Sequence, residues 1–193
     1  MSSKVLITYF GPFNHFQENP AELIANKLQL IFQDNQKITF KKLEVSFESI
    51  DQFLENTWGE YDTLIELGVA TKSNKIRLEV NGTNFVNGID VKGVQKNGKI
   101  LEIANQLKNS SFSKIVLNQW SNDFPNEVVI SENAGKFLCN YMYYKTLIRY
   151  PEKNSLFIHL ANSLDIPEAL SLEKQLAIIS YIIENQIQIL GLT

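Results

Sequence analysis

The chain has a single cysteine, Cys139, in the segment Ser131-Glu-Asn-Ala-Gly-Lys-Phe-Leu-Cys-Asn140, and one of its two histidines, His159, follows twenty positions later in Phe157-Ile-His-Leu160. A thiol is a strong nucleophile only as thiolate, and a nearby imidazole is the usual base that makes it one. A lone Cys with a His on a separate element is therefore the pattern of a cysteine hydrolase. Each residue also has a plain structural reading, Cys139 as a small buried hydrophobe and His159 as a satisfied core histidine. Thiol–imidazole catalysis usually has a third member, a carboxylate or amide that orients the imidazole and stabilises its charged form. Glu79 is the candidate. In Lys75-Ile-Arg-Leu-Glu-Val80, strand alternation sets Ile76, Leu78 and Val80 on one face and Lys75, Arg77 and Glu79 on the other. Taken alone, that segment reads with Glu79 exposed to solvent.

Other residues frame the same chemistry. A helix starting right after Ser131 would place Gly135 one turn before Cys139 on the same face, leaving a side-chain-free notch beside the sulfur. It would also set Cys139 two turns in, too deep for the helix dipole to favour ionisation, so activation would fall mainly to His159. His15, beside Asn14 in a turn-like stretch, reads as a surface or pocket-rim residue. Phe10, Phe13 and Phe16 surround the Gly11-Pro12 turn. They could line an apolar slot for a flat ring or plug the end of a strand. Two histidines and one cysteine do not make up a structural zinc site, and no metal or cofactor is implied.

The elements that must position these groups alternate between strand-like and helix-like patterns. That alternation predicts an α/β fold, a three-layer α/β/α sandwich with a mixed, mostly parallel central sheet. Strands are expected at Val5–Thr8, Ile38–Val45, Thr63–Gly68, Lys75–Val80, Lys114–Leu117, Val128–Ile130 and Leu156–Leu160. Helices are expected over 48–57, 100–108, 132–149 and 169–190. Another helix should start at Asn19-Pro-Ala-Glu22, with Asn as N-cap and Pro at the first position, and bury Ile24, Leu28 and Ile31. The last helix should bury Leu176, Ile179, Ile183, Ile187 and Leu190. Asn81–Gly98, with Asn-Gly pairs at 81–82, 87–88 and 97–98, signals turns and a candidate flap. His159 falls near the carboxyl end of its strand, where sites in open α/β sheets gather.

The 193 residues fit one domain, 1–193, and no repeat or linker suggests a second. A net charge of -3 with both signs interspersed gives no basic stripe for nucleic acid. The start has too short an apolar run for a signal peptide, and no stretch is long and apolar enough to span a bilayer. A cytoplasmic protein is the expectation. Oligomeric state is left open, a homo-oligomer included.

In order along the chain, these segments resemble the pyroglutamyl peptidase I (pyrrolidone-carboxylate peptidase) family of cysteine exopeptidases. Thr8-Tyr-Phe-Gly-Pro-Phe13 with Asn19-Pro20 is similar to that family's opening T-G-F-x-P-F-G…N-P/A-S signature. Leu67-Gly-Val69 with Leu78-Glu79 resembles its L-G-V/L-A…L-E segment. Ser131–Asn140 with Tyr143-Tyr144 and Leu147 resembles its S-x-x-A-G-x-F/Y-L-C-N/D…Y-Y…L box, and Phe157-Ile-His-Leu160 its histidine strand. The resemblance implies Cys139 as nucleophile, His159 as general base and later acid, and Glu79 as the residue orienting His159. It also implies that Phe10, Phe13 and Phe16 pack on the pyrrolidone ring of a peptide with an N-terminal pyroglutamate. Four features depart from the pattern: Tyr9 and Asn14 each stand where the family has Gly, no R-I-P-D-N stretch follows Glu79, and Ala161 replaces the proline after the His strand. Two other readings stay open, a binding protein that keeps the ring slot and an amidohydrolase for another small N-acyl amide.

Overall fold

A computed structural model of the protein describes residues 4–13, 18–56, 61–102 and 105–191. Its centre is a six-stranded sheet of β1 (Val5–Phe10), β2 (Ile38–Leu43), β3 (Thr63–Ala70), β4 (Ile76–Glu79), β9 (Val128–Ser131) and β10 (Asn154–Ala161), in the order β2-β1-β3-β10-β4-β9. Only the β10–β4 pairing is antiparallel, so the sheet is mixed and mostly parallel, as expected. Every residue of β1 is buried, which is what a strand covered on both faces requires.

Alternation along the strands sorts the core into two layers. Val5, Ile7, Ile65, Leu67, Leu156 and Ile158 meet α1 (Pro20–Ile31), α3 (Lys114–Asp123) and α5 (Leu172–Ile189) on one face. Leu6, Phe10, Leu64 and Phe157 meet α2 (Phe47–Asn56) and α4 (Leu138–Arg149) on the other. Asn19 caps α1 by accepting from the Ala21 N–H at 2.9 Å, with Pro20 at the first position. Ile24 and Leu28 are buried as expected, but Ile31 is exposed because it ends the helix and Phe32 packs in its place. Helix α5 buries Ile179, Ile183 and Ile187 together with Ile178 and Ile182. No helix among the described residues is long and apolar enough to cross a membrane.

Three expected elements are corrected. The apolar run at Lys114–Leu117 opens helix α3 and is not a strand: Leu117 and Trp120 face the core one turn apart while Ile115 is exposed. Of the expected helix over 100–108, the described residues 100–102 and 105–106 are not helical, and Leu107–Asn109 form β8, which pairs with β5 (Asn81–Thr83). The third, α4, starts at Leu138, six residues later than expected, with consequences for Cys139.

The stretch expected as turns and a flap holds β5 and a hairpin of β6 (Val86–Ile89) and β7 (Gln95–Gly98). Asp90 anchors the hairpin: one carboxylate oxygen accepts from the Lys92 and Val94 N–H groups, the other from the Phe47 N–H at the start of α2. A Cβ at Gly88 would come within 2.3 Å of the Phe137 ring, so the hairpin lies directly on the residue before α4.

Candidate functional site

On β4, Ile76 and Leu78 enter the layer with α1, α3 and α5, so Arg77 and Glu79 turn toward α4. On β10, Phe157 and His159 turn the same way, their rings 4.7 Å apart. The antiparallel register sets His159 opposite Arg77 and Phe157 opposite Glu79. Glu79 then reaches back along its strand, and its Oε1 lies 2.8 Å from His159 Nδ1. Glu79 has no exposed surface, which overturns the solvent-exposed reading of its segment. The alternation was right, but the second face is roofed by α4, whose Tyr143 hydroxyl donates to the Glu79 backbone oxygen at 2.7 Å.

The position of Cys139 follows from where α4 begins. Gly135 has φ 85°, a left-handed conformation that cannot continue a right-handed helix, so residues up to Phe137 form a loop. Cys139 therefore sits in the first turn, where the unpaired N–H groups and the dipole favour a negative charge, contrary to the expected deep placement. Gly135 lines the pocket but provides no notch for the sulfur, since a Cβ there would meet nothing within 4 Å. The clearance is at Gly68, on β3. A Cβ at Gly68 would stand 2.7 Å from Phe157 and 3.0 Å from Cys139 Sγ, so the thiol lies almost against the sheet backbone. In the sequence Gly68 stands only as part of Leu67-Gly-Val69, although a glycine inside a strand pattern is itself a signal of close approach.

Asn140 fixes this helix start. Its Oδ1 accepts from the Thr83 N–H at 2.8 Å, and its Nδ2 donates to the Thr83 and Phe85 carbonyls, each at 2.8 Å. Asn140 is itself fully buried, so truncating it takes the partner from the Thr83 N–H and the Phe85 carbonyl, while the Thr83 carbonyl keeps the Phe85 N–H. Asn140→Ala is expected to cost roughly 2–4 kcal/mol of stability, read as a loss of Tm. An unchanged Tm would mean the helix start is held elsewhere.

Cys139, His159, Phe10 and Phe13 all line one pocket of about 360 Å³ at the carboxyl ends of the parallel strands, with Val69 and Asn133 among its other walls. Burial, and after it the carboxylates of Glu79 and Glu66, push the Cys139 thiol up to about 12. The thiol is thus neutral at rest, and a thiolate requires a base. A thiol and an imidazole on one pocket, with a buried carboxylate behind the imidazole, can carry out acyl transfer to sulfur followed by hydrolysis. Phe16, His15 and Asn14 lie outside the described residues. Among the described residues, no group of three or more His, Cys, Asp or Glu side chains could hold a metal ion.

Glu66 was not singled out from sequence. It is fully buried on β3, with Thr146 Oγ1 donating to Oε1 at 2.7 Å and no partner on Oε2 among the described residues. Burial pushes its carboxyl up from 4.5 to about 8, against the Thr146 bond. The folded protein keeps this proton where the unfolded chain gives it up. The stability this group contributes is therefore full below about 4.5 and is lost as pH rises to about 8. Glu66→Gln removes that titration while keeping a partner for Thr146. It is expected to flatten the fall of Tm between pH 5 and 8 and to add roughly 2–4 kcal/mol at the alkaline end. An equal slope in both proteins would show that Glu66 is ionised in the fold.

Comparison with known proteins agrees with this architecture. The family model described as pyroglutamyl peptidase matches residues 3–192. The pyrrolidone-carboxylate peptidase of Pyrococcus furiosus is 32% identical over 170 residues, 81% of this chain and 80% of that protein. The enzyme of the same name from Brachyspira hyodysenteriae is 31% identical, over 81% of this chain and 82% of its own. The crystal structure of pyrrolidone carboxyl peptidase from Thermus thermophilus superposes with a TM-score of 0.80 at 26% identity, covering 93% of this chain and 98% of that one. With almost its whole length matched, the chain belongs to the pyroglutamyl peptidase family of cysteine peptidases.

Proposed function

We propose that the protein is a cysteine omega-peptidase that hydrolyses the amide bond after an N-terminal pyroglutamyl residue of peptides, with residues 1–193 as one catalytic domain, Cys139 as nucleophile, His159 as base and acid, and Glu79 as the orienting carboxylate. One observation carries the reading: Cys139 and His159, the latter held by buried Glu79, open onto the same pocket as the rings of Phe10 and Phe13. Glu79 occupies Nδ1, leaving Nε2 to exchange protons.

In the first half-reaction Nε2 takes the thiol proton as sulfur bonds to the exocyclic carbonyl carbon. Glu79 stabilises the imidazolium, and N–H groups at the start of α4 hold the oxyanion. The C–N bond then breaks, His159 returns the proton to the leaving amine, and a thioester remains. Water attacks that thioester, giving its proton to His159, which passes it to the departing sulfur as pyroglutamate leaves.

Specificity follows from the slot. The lactam is flat and uncharged, so aromatic faces accept it, and its N–H and C=O must find partners because an unpaired buried polar group costs about 1–3 kcal/mol. An N-terminal Gln or Glu would bring an ammonium into the same slot and is rejected on desolvation grounds. The same reading puts the enzyme in the reducing cytoplasm, where its one thiol stays free to react, with pyroglutamyl peptides as its partners, no nucleic acid or membrane, and a homo-oligomer compatible with the site. The test is fluorogenic hydrolysis of a pyroglutamyl coumarin amide beside the glutaminyl and prolyl amides. Turnover of the first alone supports the reading; equal turnover of all three, or of none, refutes it.

A further inference from the structure

The grip on Glu79 is uneven. Both donors on its carboxylate meet the same oxygen: His159 Nδ1 lies 2.8 Å from Oε1 and Arg77 Nε donates to it at 3.0 Å, whereas Oε2 is buried without a partner among the described residues. The carboxylate is therefore held by one imidazole and one guanidinium, both through a single oxygen. The register makes this possible, since Arg77 stands directly opposite His159 across the β4–β10 pair and both project to the α4 face.

The other end of Arg77 is engaged as well. Its Nη2 donates to Ser131 Oγ at 2.5 Å and to the Asn133 carbonyl at 2.6 Å. Asn133 Oδ1 in turn accepts from the N–H of Gly135, in the left-handed step that delivers the chain into the first turn of α4 and so to Cys139. One planar group thus ties the carboxylate behind His159 to the loop in front of Cys139. The side chain is 28% exposed and forms part of the pocket wall, so it is not a buried strut. A rigid fork suits this task, because it bonds two partners at a fixed angle as a flexible ammonium cannot.

We infer that Arg77 is a positioning residue for the reaction: its guanidinium locks Glu79 against His159 and couples that pair to the Ser131–Gly135 loop, setting the distance between imidazole and thiol. The inference rests on the catalytic reading of the site. A merely structural ion pair would affect stability and leave turnover of the folded protein unchanged. A positioning group affects kcat, because misplacing a base by about 1 Å costs on the order of 10²-fold, while the apolar slot that sets KM stays intact.

The experiment measures kcat, KM and Tm for wild type, Arg77→Lys and Arg77→Ala with the pyroglutamyl coumarin amide, the last variant also with millimolar guanidinium or ethylguanidinium added. The expected result is a fall in kcat of about 10–100-fold in Arg77→Ala at nearly constant KM, a smaller fall in Arg77→Lys, and partial recovery of Arg77→Ala with the added cation. Two results would overturn the proposal: a kcat per folded molecule within threefold of wild type, or a fall that only follows lost Tm and does not respond to guanidinium. Either would leave the peptidase reading standing, provided wild type is active. An inactive wild type would end both.

Discussion

Replacing Cys139 by Ala is expected to lower kcat/KM for a pyroglutamyl amide by about 10⁴–10⁶-fold, the loss seen when a covalent nucleophile is removed from a relay of this kind. No other thiol exists in the chain to take over. On the proposed mechanism the loss falls on kcat, because Phe10 and Phe13 still line the pocket and the first turn of α4 is unchanged. Because the sulfur lies against Gly68, where little space opens when it is removed, Tm should shift by only a few degrees, so a folding defect and a chemical defect are separable. Retained turnover would remove Cys139 from the reaction.

The second large effect concerns His159. With the thiol pushed up to about 12, the thiolate fraction at pH 7 is only about 10⁻⁵ unless a base accepts the proton. His159→Ala removes that base and the donor to the leaving amine, so kcat should fall by about 10³-fold or more. The sign of the pH response follows. In the variant, only direct ionisation supplies thiolate, so residual activity should climb about tenfold for each pH unit between 7 and 10. Wild type should not show that climb, because its proton is transferred within the pocket. Progress curves recorded across that range make the comparison. A variant whose activity is flat with pH would mean the thiol ionises without help from His159.

Much of this site was legible in the sequence. The alternation of Ile76 and Leu78 against Arg77 and Glu79 and the cap at Asn19-Pro20 are local patterns that the fold keeps. What was not legible depends on partners distant in sequence. Glu79 reads as exposed because nothing near it announces that Tyr143 and the rest of α4 will cover it. The segment before Cys139 reads as helix from Ser131 because every residue but Gly135 permits one, and the left-handed φ there depends on loop contacts such as Asn87 N–H to the Lys136 carbonyl. Ile115-Val116-Leu117 reads as a strand on β-branched content, yet Trp120 and Asn185 tie it down as a helix against α5 through a 2.8 Å bond. The roles of Gly68 and Arg77 appear only once β10 is placed between β3 and β4.

Transfer of the pyroglutamyl group to the Cys139 sulfur can be observed directly. Wild-type protein turning over a pyroglutamyl peptide is quenched in acid, which preserves thioesters, then digested and analysed by mass spectrometry. A pyroglutamyl thioester is expected on the peptide containing Cys139, absent from His159→Ala and from protein incubated with free pyroglutamate alone. Full hydrolysis with an unmodified Cys139 peptide under conditions where acylation outpaces deacylation, or the acyl group found on another residue, would contradict it.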